Sequence, residues 1–326
     1  MTILITGAAG FLGMHVALRL LERGEHVVGA DNLNDYYSLE LKEARLCELE
    51  DHANFSFQYL DIGDPAATAA VFALYPDLTG IIHLAAQVGV GHSLRNPQAF
   101  LQTNVSGMFI LLEEARQLKH LRHIVYGSSS AVYGGNRKVP FAETDPVAQP
   151  RSVYAASKCA DEMLAAAYTY LYKIPMTGLR LFAIYGPWGR PDMFYYSFTR
   201  AILAGETIKV YEGGDFRRDF TYIDDAVQAI LAAFDQPAEA PSPMQGPHCI
   251  LNIGNDRADS LGDFILELER ATGCQAVLAR EPIKADDLPE TYADIDLARR
   301  LLGYQPTTLL SEGVPRFVAW YRAYHG

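Results

Sequence analysis

Cysteine is scarce: the chain has four in 326 residues, Cys47, Cys159, Cys249 and Cys274. No two of them have C-x-x-C or other metal-ligand spacing, so no metal centre is expected, and reduced thiols in a cytoplasmic protein are. Positive charge is also short. Lys and Arg number 27 against 39 Asp and Glu, a net charge of -12. That balance speaks against a nucleic-acid partner bound by phosphate neutralisation. A small anionic ligand remains compatible, because a few local cations can hold one in an acidic protein. No apolar run reaches the ~18 residues that span a bilayer. No basic segment precedes an apolar stretch at the start of the chain. Neither a membrane span nor a signal peptide is therefore expected. Internal repeats are absent, and the only biased tract is a Pro-rich loop near Gln236–Pro247.

What is present is an ordinary folding composition, 49% hydrophobic and 20% charged, enough for a sizeable core. The first half alternates short apolar runs with amphipathic segments. Strands are predicted at Thr2–Ile5, His26–Ala30, Ser56–Leu60, Gly80–Leu84, His123–Tyr126 and Met176–Leu181. Helices are predicted over Phe11–Glu22, and near Ala66–Leu74, Pro97–Gln117 and Val153–Tyr172. This alternation predicts an α/β fold, a Rossmann-type doubly wound parallel sheet covered on both faces. After Phe182 the rhythm changes to mixed segments rich in Gly, Pro and Tyr. Two domains are expected, 1–181 and a smaller mixed α/β unit at 182–326 that completes a ligand cleft. Residues 220–254 could pack back on the first domain.

Gly7-Ala8-Ala9-Gly10-Phe11-Leu12-Gly13 directly follows the first strand and opens the first helix. Glycines there allow a tight turn and let the backbone approach a pyrophosphate at the helix N-terminus. Asp31 ends the second strand at the distance expected of a ribose-binding acid, with Asn32 beside it. Its carboxylate would accept bonds from the adenosine ribose and repel a 2′-phosphate, which favours NAD over NADP. Tyr154-Ala-Ala-Ser-Lys158 has i, i+4 spacing, so phenol and ammonium share one helix face. The ammonium favours the phenolate, making Tyr154 a candidate base. Gly127-Ser128-Ser129-Ser130 follows a strand some way upstream, and a hydroxyl there can hydrogen-bond a substrate oxygen and share the proton.

With its GxxGxxG loop and its hydroxyl, tyrosine and lysine, the chain resembles the extended short-chain dehydrogenases over essentially its whole length. Within them it is most similar to the UDP-glucuronate 4-epimerases. Asn32–Arg45 resembles the insert they carry after the second strand, and Tyr185-Gly-Pro-Trp-Gly-Arg-Pro-Asp-Met193 their substrate loop. Arg218–Asp225 and Asp287–Asp294 resemble the segments that grip the nucleotide. The resemblance implies tightly held NAD, touched also by Asp61, Ile62, Leu84, Ala85, Ala86, Gln87, Tyr154 and Lys158. It implies a UDP-sugar substrate contacted by Ser129, Ser130, Tyr154, Arg190, Arg218 and Asp287. Ser129, Tyr154 and Lys158 carry the catalytic roles. It implies a homodimer built on the helices near Pro97–Gln117 and Val153–Tyr172.

Ala131 stands where the related 4,6-dehydratases and UDP-glucuronate decarboxylases need a glutamate, which favours simple epimerisation. Gly91 and Ala183 stand where the epimerases usually have arginine and threonine. Their absence keeps a 4-epimerase of neutral UDP-hexoses as the runner-up. A non-catalytic NAD-binding regulator is disfavoured by the intact hydroxyl, tyrosine and lysine.

The recycled cofactor should stay bound through purification. Denaturing the purified protein and separating the released nucleotide should give NAD or NADH. Mainly NADP, or no dinucleotide, would contradict the reading of Asp31.

Overall fold

The computed structural model describes residues 1–211, 216–240, 242, 245–281 and 288–326. Strand Thr2–Thr6 (β1) lies in the interior of a seven-stranded sheet, where Ile3, Leu4 and Ile5 are wholly buried. Ile3 and Ile5 pack into one apolar layer and Leu4 into the other, so both faces are covered. Around β1 stand His26–Asp31 (β2), Phe55–Tyr59 (β3), Gly80–His83 (β4), His123–Ser129 (β5) and Met176–Leu181 (β6). The sheet order is His248–Ile253, β6, β5, β4, β1, β2, β3, with every pairing parallel. Strand order reverses between β1 and β4. In a doubly wound sheet that reversal opens a crevice at the carboxyl ends of the strands.

The covering helices include Phe11–Glu22 (α1), Leu39–Glu50 (α2), Pro65–Leu74 (α3), Val90–Arg95 (α4), Pro97–Phe100 (α5), Gly107–Ala115 (α6) and Val153–Tyr172 (α7). Ser152 caps α7 by accepting from the Ala155 N–H, which satisfies one of the otherwise orphaned first-turn donors. Asp64 does the same for α3, with Pro65 at its first position.

The third strand runs Phe55–Tyr59, one residue earlier than expected. The helix expected near Pro97–Gln117 is broken into three pieces. A π-helical turn, Leu101–Ser106, separates α5 from α6. The side chain of Asn104 in that turn accepts from the Gln87 N–H and donates to the Gln87 carbonyl and to Ser157 Oγ. Those bonds, which periodicity cannot register, mark the place where the helix departs from α geometry.

Beyond β6 the chain does not simply form a separate layer. Helix Ile223–Asp235 packs against α1, β5 and β6, and His248–Ile253 completes the large sheet. The remaining segments make small sheets: Ala183–Tyr185 with Phe220–Tyr222, Arg217–Arg218 with Asp259–Ser260 and Glu290–Thr291, and Thr207–Tyr211 with Val277–Glu281. Helices Phe194–Ala204, Leu261–Thr272 and Leu310–His325 join them through an aromatic core that includes Tyr195, Phe264 and Phe317.

One side chain ties these regions together. Arg45 on α2 is fully buried. Its Nη1 donates to the carbonyl of Ala9 in the glycine loop at 3.0 Å and to Tyr37 Oη at 2.6 Å. Nε and Nη2 donate to the Trp188 carbonyl, and Nη2 also to that of Gly189. Trp188 is held at φ +62°, uncommon for a bulky residue, and this conformation accompanies its carbonyl's place on the guanidinium. No carboxylate among the described residues forms an ion pair with Arg45, so backbone carbonyls and the Tyr37 hydroxyl take up its donors.

Arg45→Met should strand these carbonyls and lower stability by about 2–4 kcal/mol. Urea unfolding would register this as a lower midpoint at unchanged slope.

Candidate active site

The crevice at the strand-order reversal holds a cavity of about 400 Å³. Its floor at one end is the turn from β1 into α1. Gly7 has φ +76°, and a Cβ there would lie 2.8 Å from the Ala85 nitrogen at the end of β4. A Cβ on Gly13 would sit 2.0 Å from the Gly7 carbonyl. The glycines thus let the loop, α1 and the chain after β4 approach closely. That leaves bare backbone and the α1 N-terminus facing the cavity, which suits a pyrophosphate.

Asp31 lines the same end. Its Oδ2 accepts from the Ala9 N–H at 3.1 Å and its Oδ1 from the Leu33 N–H at 2.9 Å. Burial raises its pKa, and the two N–H groups and Lys42 oppose that rise. Asn32, Ile62, Leu84, Ala85, Ala86 and Gln87 continue the wall, together with Gly7, Gly10, Phe11, Leu12 and Gly13. The small residues after β4 leave width for a flat dinucleotide. These observations together fit NAD.

At the other end stand Ser129, Tyr154, Lys158 and Arg190. Tyr154 and Lys158 lie one turn apart on α7. The Tyr154 ring packs edge-on against Phe100 with centroids 6.0 Å apart. Ser129 ends β5, and its Oγ accepts from the Ala131 N–H at 3.2 Å, leaving its own proton to give. Arg190 is clamped by Asp192: Nε donates to Oδ1 at 3.0 Å and Nη2 to Oδ2 at 2.5 Å. Tyr36 Oη donates to the same Oδ2 at 3.1 Å. Burial pulls the Arg190 pKa down, but the Asp192 pair outweighs it and holds the group above its ordinary value.

Three expected contacts stand apart from the cavity wall. Asp61 accepts from Asn32 Nδ2 and the Gly63 N–H. Ser130 opens the short 3-10 turn Ser130–Tyr133, while its neighbour Ala131 reaches the wall. Arg218 donates to the carbonyls of Arg217 and Pro289, and its guanidinium lies over Phe216. Asp287 lies outside the described residues. Conversely, the wall includes residues that the sequence did not single out as contacts: Thr103, Tyr36, Tyr37, Lys42, Phe182 and Met193. Three of these belong to the insert, whose distinctive composition was the available signal. Asn104 was legible only as a polar residue in an apolar helix pattern.

Behind Lys158, His83 is buried and pairs through Nδ1 with Thr6 Oγ1 at 2.7 Å. Burial, and then the neighbouring Lys158 charge, push its pKa down to about 3, so it stays neutral.

A Rossmann sheet, a glycine loop at its crevice and a Ser–Tyr–Lys set facing one cavity define a nicotinamide-dependent enzyme of the short-chain dehydrogenase type. The chain belongs to the NAD dependent epimerase/dehydratase family, whose model matches residues 3–254. It is 43% identical to UDP-glucuronate 4-epimerase 4 of Arabidopsis thaliana, over 99% of this chain and 76% of that protein. Among solved structures it is similar to UDP-glucuronic acid 4-epimerase of Bacillus cereus in complex with UDP-glucuronic acid and NAD. That match has TM-score 0.89 and 32% identity, over 99% of this chain and all (100%) of the other. UDP-glucose 4-epimerase of Thermotoga maritima with UDP-glucose gives TM-score 0.87 and 30% identity, with both chains covered in full (100%).

Gly13→Ala should force the glycine loop away from α1. The variant is expected to keep its circular dichroism spectrum but purify largely free of NAD, with affinity measured by calorimetry at least ~10-fold weaker. Full NAD retention would show that the close packing is dispensable.

Proposed function

We propose that the chain interconverts UDP-glucuronate and UDP-galacturonate by NAD-dependent epimerisation at C4, without decarboxylation. One observation carries the choice of reaction: among the described residues that line the cavity, Asp31 is the sole carboxylate, and it lies at the glycine-loop end. Ala131 lines the wall where an eliminating enzyme would need an acid or base. Similarity to epimerases that act on or bind UDP-glucuronate supports the substrate.

When bound, NAD supplies a reversible hydride acceptor for the sugar C4. The chain's own residues manage the proton and the pose. Tyr154 takes the proton from the 4-hydroxyl and later returns it to the same oxygen, once the 4-keto sugar has turned its other face to the cofactor. Lys158 favours the phenolate by its charge, and the Ser129 hydroxyl hydrogen-bonds the reacting oxygen. The 4-keto acid is prone to lose carbon dioxide. That loss requires the breaking carbon–carbon bond to stand roughly perpendicular to the carbonyl plane. Arg190, whose Nε–Nη2 edge is taken by Asp192, would meet the carboxylate through its remaining guanidinium donors and hold it away from that orientation. Arg218 and Asp287 keep their proposed roles at the diphosphate and the uridine ribose, Ser130 its role near the carboxylate, and Asp61 its role at the adenine.

We further propose a homodimer. Leu101 and Phe109, before and within α6, and Met163, Tyr170 and Leu171 on α7 are large apolar side chains left exposed. A second copy laying the same helices against them would cover them as a four-helix interface. No described helix is long and apolar enough to cross a membrane, and all four cysteines are unpaired, which supports a cytoplasmic location. For domains, the proposed boundary stays at 181/182, with residues 220–254 packing back on the first domain, supported by helix Ile223–Asp235 and strand His248–Ile253.

Incubation with UDP-glucuronate and chromatographic analysis should give UDP-galacturonate with little UDP-4-keto-pentose. Tyr154→Phe should lower turnover at least ~100-fold, as loss of a general base does, while UDP-sugar binding survives. Efficient conversion of UDP-glucose with no action on UDP-glucuronate would reject the acid-sugar reading and promote the neutral-hexose one. Light scattering that finds a monomer at micromolar concentration would reject the dimer.

A further inference from the structure

Lys158 is not a bare cation. Its Nζ donates to Asp161 Oδ2 at 3.0 Å, and the two side chains are only 4% and 2% exposed. Asp161 sits one turn further along α7, on the same helix face. Its second oxygen, Oδ1, is buried with no hydrogen-bond partner among the described residues. Glu162 and Cys159 on α7 and Tyr126 on β5 also face this carboxylate. Glu162 is engaged by the Arg180 fork from β6. His83 on β4 faces Lys158 and is neutral. Lys158 is therefore the cation that directly offsets Asp161. Burial still pushes the acid up to about 6, with Lys158 pulling it back.

A half-bonded buried carboxylate is costly, and a neutral residue of the same size would pack without that cost. Its charge acts on one catalytic group. Lys158 favours the Tyr154 phenolate through its own positive charge. An ammonium in contact with a carboxylate projects a weaker field than a bare one. The acid also fixes the direction of the lysine side chain, because a buried ion pair has one good geometry.

We propose that Asp161 is a positioning residue of the reaction: through Lys158 it sets the pH at which Tyr154 becomes a base. This rests on Tyr154 being the base, as argued above. Removing the acid's charge leaves Lys158 uncompensated, so the Tyr154 phenolate forms at lower pH. The acid limb of kcat/KM should move with it.

The test uses the NAD-loaded protein. Phenolate absorbance near 295 nm is titrated for the parent, Asp161→Asn and Asp161→Leu, each minus its own Tyr154→Phe counterpart, so that only Tyr154 remains. Asn keeps a hydrogen-bonding group without charge, and Leu keeps only bulk. Both should lower the Tyr154 midpoint by roughly half a unit or more, as expected for removal of one nearby negative charge. The pH profile of kcat/KM should shift alike. A midpoint that stays in place or rises in both variants, with turnover merely reduced, would overturn the proposal and leave Asp161 a packing group. The titration needs no sugar. If the chain fails to epimerise UDP-glucuronate, only the kinetic arm is lost, and the two failures are told apart.

Discussion

The buried pair of Glu162 and Arg180 holds helix α7 to the sheet, and the site depends on it. Arg180 on β6 donates through Nε and Nη2 to the two carboxylate oxygens at 2.9 and 2.8 Å. Ser128 on β5 donates to the same carboxylate, and Arg180 Nη1 donates to Tyr133 Oη, which in turn donates to Asn252 on the seventh strand. Buried charges are costly unless paired and hydrogen-bonded, and removing one partner strands the other. The network therefore couples the helix that bears Tyr154 and Lys158 to the strand that ends in Ser129. Hydroxyl, phenol and ammonium keep their relative places because no one of their supports can slide alone.

Arg45 does the corresponding work at the opposite wall. It links the glycine loop, the insert and the turn before Arg190, three segments far apart in sequence. The glycine-loop end and the Arg190 end of the cavity thus share one buried donor. Arg190 reaches that cavity already paired with Asp192, so an incoming carboxylate would meet a guanidinium whose plane and direction are set beforehand.

Much of this was legible in the sequence. The parallel sheet followed from apolar runs at regular spacing, and the glycine loop and Asp31 followed from their place between strand and helix. Tyr154 and Lys158 were found by helical spacing. What periodicity missed has a physical cause in each case. The π-helical turn is accompanied by side-chain bonds from Asn104 to residues 17 and 53 positions away, which no local pattern records. The Lys158–Asp161 contact is local, but its burial is a property of the packed helix. Ser130 was expected beside Ser129 at the site. The short 3-10 turn that begins there instead carries Ala131 to the cavity wall. The return of Ile223–Asp235 and His248–Ile253 to the large sheet is a tertiary choice, made after a run of sequence that reads as another domain.

Asp31 bears on how such an enzyme could be redesigned. The carboxylate expected to choose between dinucleotides also accepts the Ala9 and Leu33 N–H groups, so it staples the glycine loop to the end of β2. Replacing it with a small neutral residue to admit a 2′-phosphate would leave two backbone donors without their acceptor. Cofactor preference and loop order are thus one inherited trait in this chain. A successful switch would have to rebuild both at once, with a new acceptor for Ala9 installed alongside the new cation.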